Sequence, residues 1–328
     1  MSSILTTDKL IKSIRRRGFL PNDQITFTDD DFLEMATEEI TIGLMEQIIS
    51  VRGDYLVYHV DVPLVEGINK YDIPARAHGN KLREASLNDI NNPDRVIYEL
   101  FQIDVDSLND IVDYYSYNTK TCFYLENNKI VLTEDIVKSG TYNLRMYFYM
   151  RPNKLVLPNR AAVVQSISDG TEIVNTETVN VKVVSFSSVP KHFSSAMEFD
   201  IVSNISPNKI LNFSLTPVSV NLTLKTISFR TLDIQEEISL GNYITQAEET
   251  IVPNIPTEYH PVVAQRTVRA CMEAMNDDAG FTKASAKLAE MEDQVFKIVR
   301  NRVEGAPKKI KNRGGTLRNG INKTIKKW

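Results

Sequence analysis

Apolar side chains recur every three to four residues at both ends of this chain and every second residue through its middle, so period alone divides the sequence. In "TTDKLIKSIRRRG", Leu10, Ile11 and Ile14 form one stripe, with Thr7 as the expected cap and Gly18 at the expected stop. That predicts a short helix. In "TFTDDDFLEMATEEITIGLMEQIISVRGDY", Phe32, Ala36, Ile40, Leu44 and Ile48 repeat in four-residue steps, Thr28 stands at the N-cap position, and Asp29 to Asp31 favour the positive end of the helix dipole. This is the strongest helix pattern in the chain. Consecutive acids point in different directions on a helix, so the three aspartates read as capping charge and not as converging metal ligands.

From Tyr55 to Met150 the period shortens. The runs "YLVYHVDVPL", "NKYDIP", "KLREASLND", "RVIYELFQID", "KTCFYLENNKIVLTED" and "TYNLRMYFYMRP" predict short strands, with "ENNK" as a hairpin turn and "DVDSLNDIVDYY" as one short helix between them. In "YNLRMYFYM", Tyr142, Leu144, Met146 and Phe148 alternate with Asn143, Arg145, Tyr147 and Tyr149, which predicts one buried face and one wetter face. In "VDVPLVEGINKYDIP", Val60, Val62 and Leu64 suit a strand, Glu66 to Asn69 a turn, and Tyr71 to Pro74 a returning strand. Pro63 marks an edge, open to a neighbouring molecule, and Asp61, Glu66 and Asp72 read as solvated or interface charges.

After "RPNKLVLPNR" the composition shifts. Residues 161–230 are rich in Ser, Val, Thr and Asn, carry only ten charged side chains, and include "ETVNVKVVSF" and "VSVNLTLKTISF", the pattern of a small antiparallel sandwich or barrel. Helical spacing returns beyond Pro256, in "PTEYHPVVAQRTVRACMEAM", with Thr257 as cap, Pro261 in the first turn, and Val263, Ala270, Ala274 and Met275 among the apolar positions. "NDDAG" breaks it. Then Phe281, Ala284, Leu288, Met291, Val295, Ile298 and Arg302 at three-and-four spacing predict a helix of ~23 residues and ~34 Å, packed in a bundle.

These readings give an α+β fold: a helical bundle made of an N-terminal helix pair and a long C-terminal pair, a β-rich segment, and a small inserted antiparallel β domain. The expected units are a first bundle part with the β-rich segment (1–156), the insertion (157–247), the C-terminal bundle helices (248–304) and a basic arm (305–328). The arm carries Lys308, Lys309, Lys311, Arg313, Arg318, Lys323, Lys326 and Lys327, ends in Trp328 and has no acid, whereas residues 1–305 hold 30 basic against 42 acidic side chains, −12. As an assembly arm it would order itself on another subunit; as a nucleic-acid arm it would neutralise phosphates and stack Trp328 on bases. The acidic body argues against dedicated DNA binding.

Catalytic chemistry finds little support. His59, His78, His192 and His260 are dispersed, Cys122 and Cys271 read as buried small hydrophobes, and the chain has no phosphate-cradling glycine loop or nucleophile elbow. The expectation is a protein that is not an enzyme and uses no cofactor or metal. No run approaches the ~18 consecutive apolar residues of a membrane span, and the basic cluster follows the first amphipathic stretch where a signal peptide would lead with it, so a soluble protein with no membrane partner is expected.

The order of segments carries a resemblance. A short N-terminal helix, the "FTDDDFL" helix start, the "DYLVYHVDVPLVEGINKYDIP" join, "NNKIVLTED" followed by "YNLRMYFYMRP", and the "IPTEYHPVVAQRTVRACMEAM" helix are together similar to the head-to-tail connector (adaptor, or ring) proteins of tailed, podovirus-like bacteriophages, with the crAss-like group as the suggested kin. The likeness covers roughly residues 4–155 and 250–303. It implies a structural virion protein at the head–tail interface, made in the host cytoplasm, in a ring of about twelve copies that docks on the portal and joins it to tail or further ring proteins. Genomic DNA would pass through the channel without sequence-specific binding. The insertion is larger than a minimal adaptor needs and would suit an attachment surface for further rings or fibres. The alternative is a tail or fibre-attachment protein whose β domain binds a receptor or partner. The insertion's aromatic residues from 161 to 230 are Phe186, Phe193, Phe199, Phe213 and Phe229, which suit a core better than a sugar-reading surface.

Overall fold

A computed structural model describes residues 5–21, 26–51, 53–93, 95–104, 122–133 and 141–299. Helix α1 spans Thr7–Gly18 and buries Leu10, Ile11 and Ile14 as the stripe requires. Its N-cap is Thr6, not Thr7. Thr7 is buried inside the first turn, and its backbone N–H donates to the Ile251 carbonyl at 2.9 Å, so a distant segment supplies the partner that a capping side chain would have given. Gly18 is the last helical residue, and the left-handed position falls on Phe19, at φ 51°.

Helix α2 (Asp29–Glu38) starts as its sequence demands. The Thr28 hydroxyl accepts from the Asp31 N–H at 3.2 Å, and the Asp31 carboxylate accepts from the Thr28 N–H at 2.7 Å, a reciprocal capping box. Those bonds hold the Asp31 carboxyl below the usual carboxylate range. The helix does not run on uniformly: Glu39–Leu44 forms a π-helical turn before α3, Met45–Val51. The apolar spacing explains why. Four residues of α-helix turn about 400°, so a strict four-residue repeat drifts about 40° per step away from the core. The wider turn at Ile40 and Leu44 corrects the drift and keeps Phe32, Ala36, Ile40, Leu44 and Ile48 on one buried line.

Strands β1 (Val57–Pro63), β2 (Lys70–Asp72), β3 (Ala77–Asp89), β4 (Val96–Gln102), β5 (Cys122–Glu126), β6 (Lys129–Leu132) and β7 (Tyr142–Met150) form one seven-stranded sheet in the order β1-β7-β3-β4-β5-β6-β2. The two extended halves of "VDVPLVEGINKYDIP" do not pair with each other: β1 pairs with β7 and β2 with β6, so they are opposite edges of one sheet joined by a short turn. That connection curls the sheet around Leu64, Tyr71, Leu87, Phe123, Leu144 and Met146. The turn between β5 and β6 falls in "ENNK", with Asn127 at φ 55°. Asp61 is not a solvated charge, because the Arg145 guanidinium donates to both its oxygens at 2.7 Å. Arg145 is correspondingly buried on the face predicted to be wet. The predicted helix at "DVDSLNDIVDYY" lies almost wholly outside the described residues.

The chain passes through β8 (Lys154–Leu155) into β9 (Ala162–Val174), β10 (Glu177–Phe186), β11 (Phe199–Val202), β12 (Ile210–Leu215), β13 (Pro217–Asn221), β14 (Thr226–Arg230) and β15 (Tyr243–Gln246), and returns through β16 (Glu249–Thr250). Strands β9–β15 form a second seven-stranded sheet, β12-β11-β15-β9-β10-β14-β13. The parallel β8–β16 ladder clamps the way in to the way out. Five phenylalanines were expected in this core. Phe186, Phe193, Phe199 and Phe229 are there, while Phe213 turns outward and packs edge-on against Tyr58 and Phe148 of the first sheet.

After a 3₁₀ turn at Thr257–Tyr259, helix α4 (His260–Ala274) runs through the centre of the helical layer and α5 (Asp278–Val299) packs along it. Thr257 caps nothing; its hydroxyl pairs with Ser206 of the second sheet's 203–209 loop. Ile298, expected on the packed face, is exposed.

The architecture therefore corrects the expected helical bundle with a small β insert. The molecule is mainly β, two large curled sheets against one helical layer, and Val202 and Ile210 of the second sheet belong to the same core as the helices. Long amphipathic helices announce themselves by period, whereas short strands with mixed faces do not, so sequence reading overweighted the helices.

Candidate functional site

The chemically distinctive groups of the described molecule lie at its joints. Asp200, on β11, is fully buried, and an isolated carboxylate there would cost several kcal/mol. It is instead fully satisfied. Arg76, from the turn between β2 and β3, donates to its oxygens at 3.3 and 3.0 Å, Asn153 Nδ2 at 2.6 Å, and the backbone N–H groups of Ser214 and Glu248 at 2.9 and 3.0 Å. Arg76 also donates to Asn153 Oδ1 at 2.6 Å. Five chain segments from both sheets and their linkers meet on one carboxylate.

A second node lies in the helical layer. Arg266 of α4, 7 % exposed, donates through Nε to Glu292 of α5 at 2.8 Å and through Nη1 to Glu39 at 3.2 Å, while Arg269 reaches the other Glu39 oxygen at 3.1 Å. The π-helical turn makes room for it. A Cβ on Gly43 would lie 2.1 Å from Arg266 Nη1, so only glycine lets the guanidinium lie against that turn.

A cleft of about 280 Å³ opens at the seam between the sheets, lined by residues 54–58, Pro207 and Lys209. The Tyr58 hydroxyl donates to the Ile210 carbonyl at 2.8 Å, burial pushes its pKa up, and Lys209 lies 5.7 Å over its ring while pairing with Glu236. The tyrosine is thereby committed to holding the seam. The residues that line this cleft place no nucleophile beside a base.

Sequence reasoning singled out none of Arg76, Asn153, Asp200, Gly43 or Arg266. A glycine inside a strong helical pattern was the one local signal for the second node. The basic-arm residues Lys308 to Trp328 lie outside the described residues. The four histidines are not brought together: His59 lies tilted against the Tyr147 ring, His78 lies 3.7 Å from Glu46, His192 packs on Phe193 and His260 is buried against the Ile255 carbonyl. Cys122 and Cys271 are buried thiols, and burial pushes the Cys271 thiol up to about 11. Among the described residues no three His, Cys, Asp or Glu side chains are grouped to hold a metal ion, and no helix is long and apolar enough to cross a membrane.

What these features define is a cross-braced fold of two sheets and a helical layer. No protein-family model matches the chain, and no curated protein matches it.

Proposed function

We propose that the chain is a structural subunit of a phage head-to-tail connector, a non-enzymatic ring protein that docks on the portal and joins it to tail proteins around the DNA channel. The observation that carries this reading is where the buried charge lies: Asp200–Arg76 and Arg266–Glu39–Glu292 tie separate elements to one another. Buried ion networks of this kind fix relative position more than they add stability, which is what a subunit under load needs. The segment order of phage connectors, and an acidic body that would repel DNA phosphates from a channel wall, support the same reading.

Exposed apolar tips on the second sheet favour a subsidiary role for it as an attachment surface. Ile173 lies near the β9–β10 tip, Leu224 in the β13–β14 turn and Leu232 just after β14, and all three are at least 70 % exposed. Mass measurement of the purified protein with and without portal tests the proposal. A portal-dependent or spontaneous ring is expected; a protein that stays monomeric in both conditions, or that cleaves or converts a substrate, overturns it.

A further inference from the structure

Two exposed helix faces carry charge of opposite sign in matching order. On α1 the outward row is Lys9, Lys12 and Arg16, followed by Phe19, which is 93 % exposed. On α2 and the π-helical turn the outward row is Asp30, Glu34 and Glu38, followed by Ile42, which is 80 % exposed. Among the described residues, Lys12, Arg16, Asp30, Glu34 and Glu38 form no ion pair. Lys12–Arg16, Asp30–Glu34 and Glu34–Glu38 are like charges at i,i+4, an arrangement that weakens a helix. Asp30 and Arg16 suit the dipoles of their own helix ends, but Glu34 and Glu38 answer no such need, and neither do the bare phenylalanine and isoleucine beside the rows.

The rows match in length. From the 1.5 Å rise, Lys9 to Arg16 spans about 10 Å and Asp30 to Glu38 about 12 Å, and each row then ends in its exposed apolar residue within one further turn. Laid side by side in the same direction, the basic row of one copy sets Lys9, Lys12 and Arg16 against Asp30, Glu34 and Glu38 of the next, and Phe19 against Ile42. We infer that α1 of one copy docks on the α2–π face of a second copy through these residues. The inference rests on the ring-subunit reading and names the faces that would close the ring. The two faces differ, so the contact is heterologous: every docked copy still offers one free face of each sign, and the array grows until it closes.

Charge-swapped full-length chains test it by sedimentation velocity at about 0.05 M salt, alone and with portal, where exposed charges are least screened. Reversing one face, as Glu34→Lys/Glu38→Lys or as Lys12→Glu/Arg16→Glu, sets like charges together and is expected to weaken assembly by ~100-fold or more. Combining the four substitutions in one chain restores opposite signs and is expected to restore assembly. Circular dichroism and thermal melting that match the parent show the variants folded. Single-face variants that assemble like the parent, or a folded four-fold variant that does not recover, overturn these faces and leave the ring reading standing. A parent protein that stays monomeric alone and with portal overturns both.

Discussion

Replacing Asp200 with alanine should be the most damaging single polar substitution in the second sheet. The change removes the acceptor for two Arg76 bonds, one Asn153 bond and the N–H groups of Ser214 and Glu248, and leaves the Arg76 guanidinium buried with Asn153 Oδ1 at 2.6 Å and the more distant Glu248 at 3.8 Å. Breaking a buried pair from one side costs about 3–5 kcal/mol, and a stranded buried N–H about 1–3 kcal/mol more, less whatever a water admitted to the vacated space recovers. A loss of about 4 kcal/mol or more is expected, larger than for Asp200→Asn, which keeps the volume and one acceptor oxygen. Because the node joins two sheets, unfolding need not be two-state. Denaturant titration should therefore be followed by hydrogen exchange, with protection lost first along β11, β12 and the β15–β16 turn. Adding Arg76→Met to Asp200→Ala removes the stranded charge and should recover part of the loss, since side chains in one network are not additive. A loss below about 1 kcal/mol for Asp200→Ala, or no coupling in that double mutant, would refute the reasoning.

Three further outcomes are expected. Gly43→Ala places a methyl where Arg266 Nη1 now lies and should cost about 2–3 kcal/mol by driving the guanidinium from Glu39; a melting temperature equal to the parent's would show that the π-helical turn yields freely. Burial lowers the pKa of His260, so on acidification the unfolded chain binds a proton that the folded chain refuses. Stability should hold above about pH 6.5 and fall below it, by up to ~1.4 kcal/mol per pH unit for this one group, and His260→Gln should flatten that slope in melts between pH 7.5 and 5.5. Deleting residues 306–328 should abolish portal docking while leaving the melting curve unchanged; a truncated protein that still co-sediments with portal removes the assembly role from the arm.

Much of the helical layer could be read in advance. The Thr28 cap, the α1 stripe, the break before α5 and the α5 residues Ala284, Leu288 and Val295 all follow from neighbours within one or two turns. The balance of the fold could not. The second sheet was legible as β but not as an equal partner, because a strand's pattern shows which face is buried and says nothing of what buries it. Phe213 illustrates the gap: in sequence it resembles the other core phenylalanines, yet it turns to the first sheet and helps fuse the two. The candidate joints were invisible for a related reason. Asp200, Arg76 and Asn153 are ordinary loop and strand polar residues until the chain brings them together.

What the sequence determined by itself was local. Caps, periods, the "ENNK" turn and the alternation of β7 are settled by interactions among residues a few positions apart, and they hold whatever the rest of the chain does. Only the tertiary structure decided the pairing of β1 with β7 and of β9 with β15, the Ile251 carbonyl that completes the start of α1, and the ion pairs Asp61–Arg145, Arg76–Asp200 and Glu39–Arg266. Those last partners lie 84, 124 and 227 residues apart. A charge so far from its counter-charge carries no local signature, and its burial becomes favourable only after folding has enclosed both.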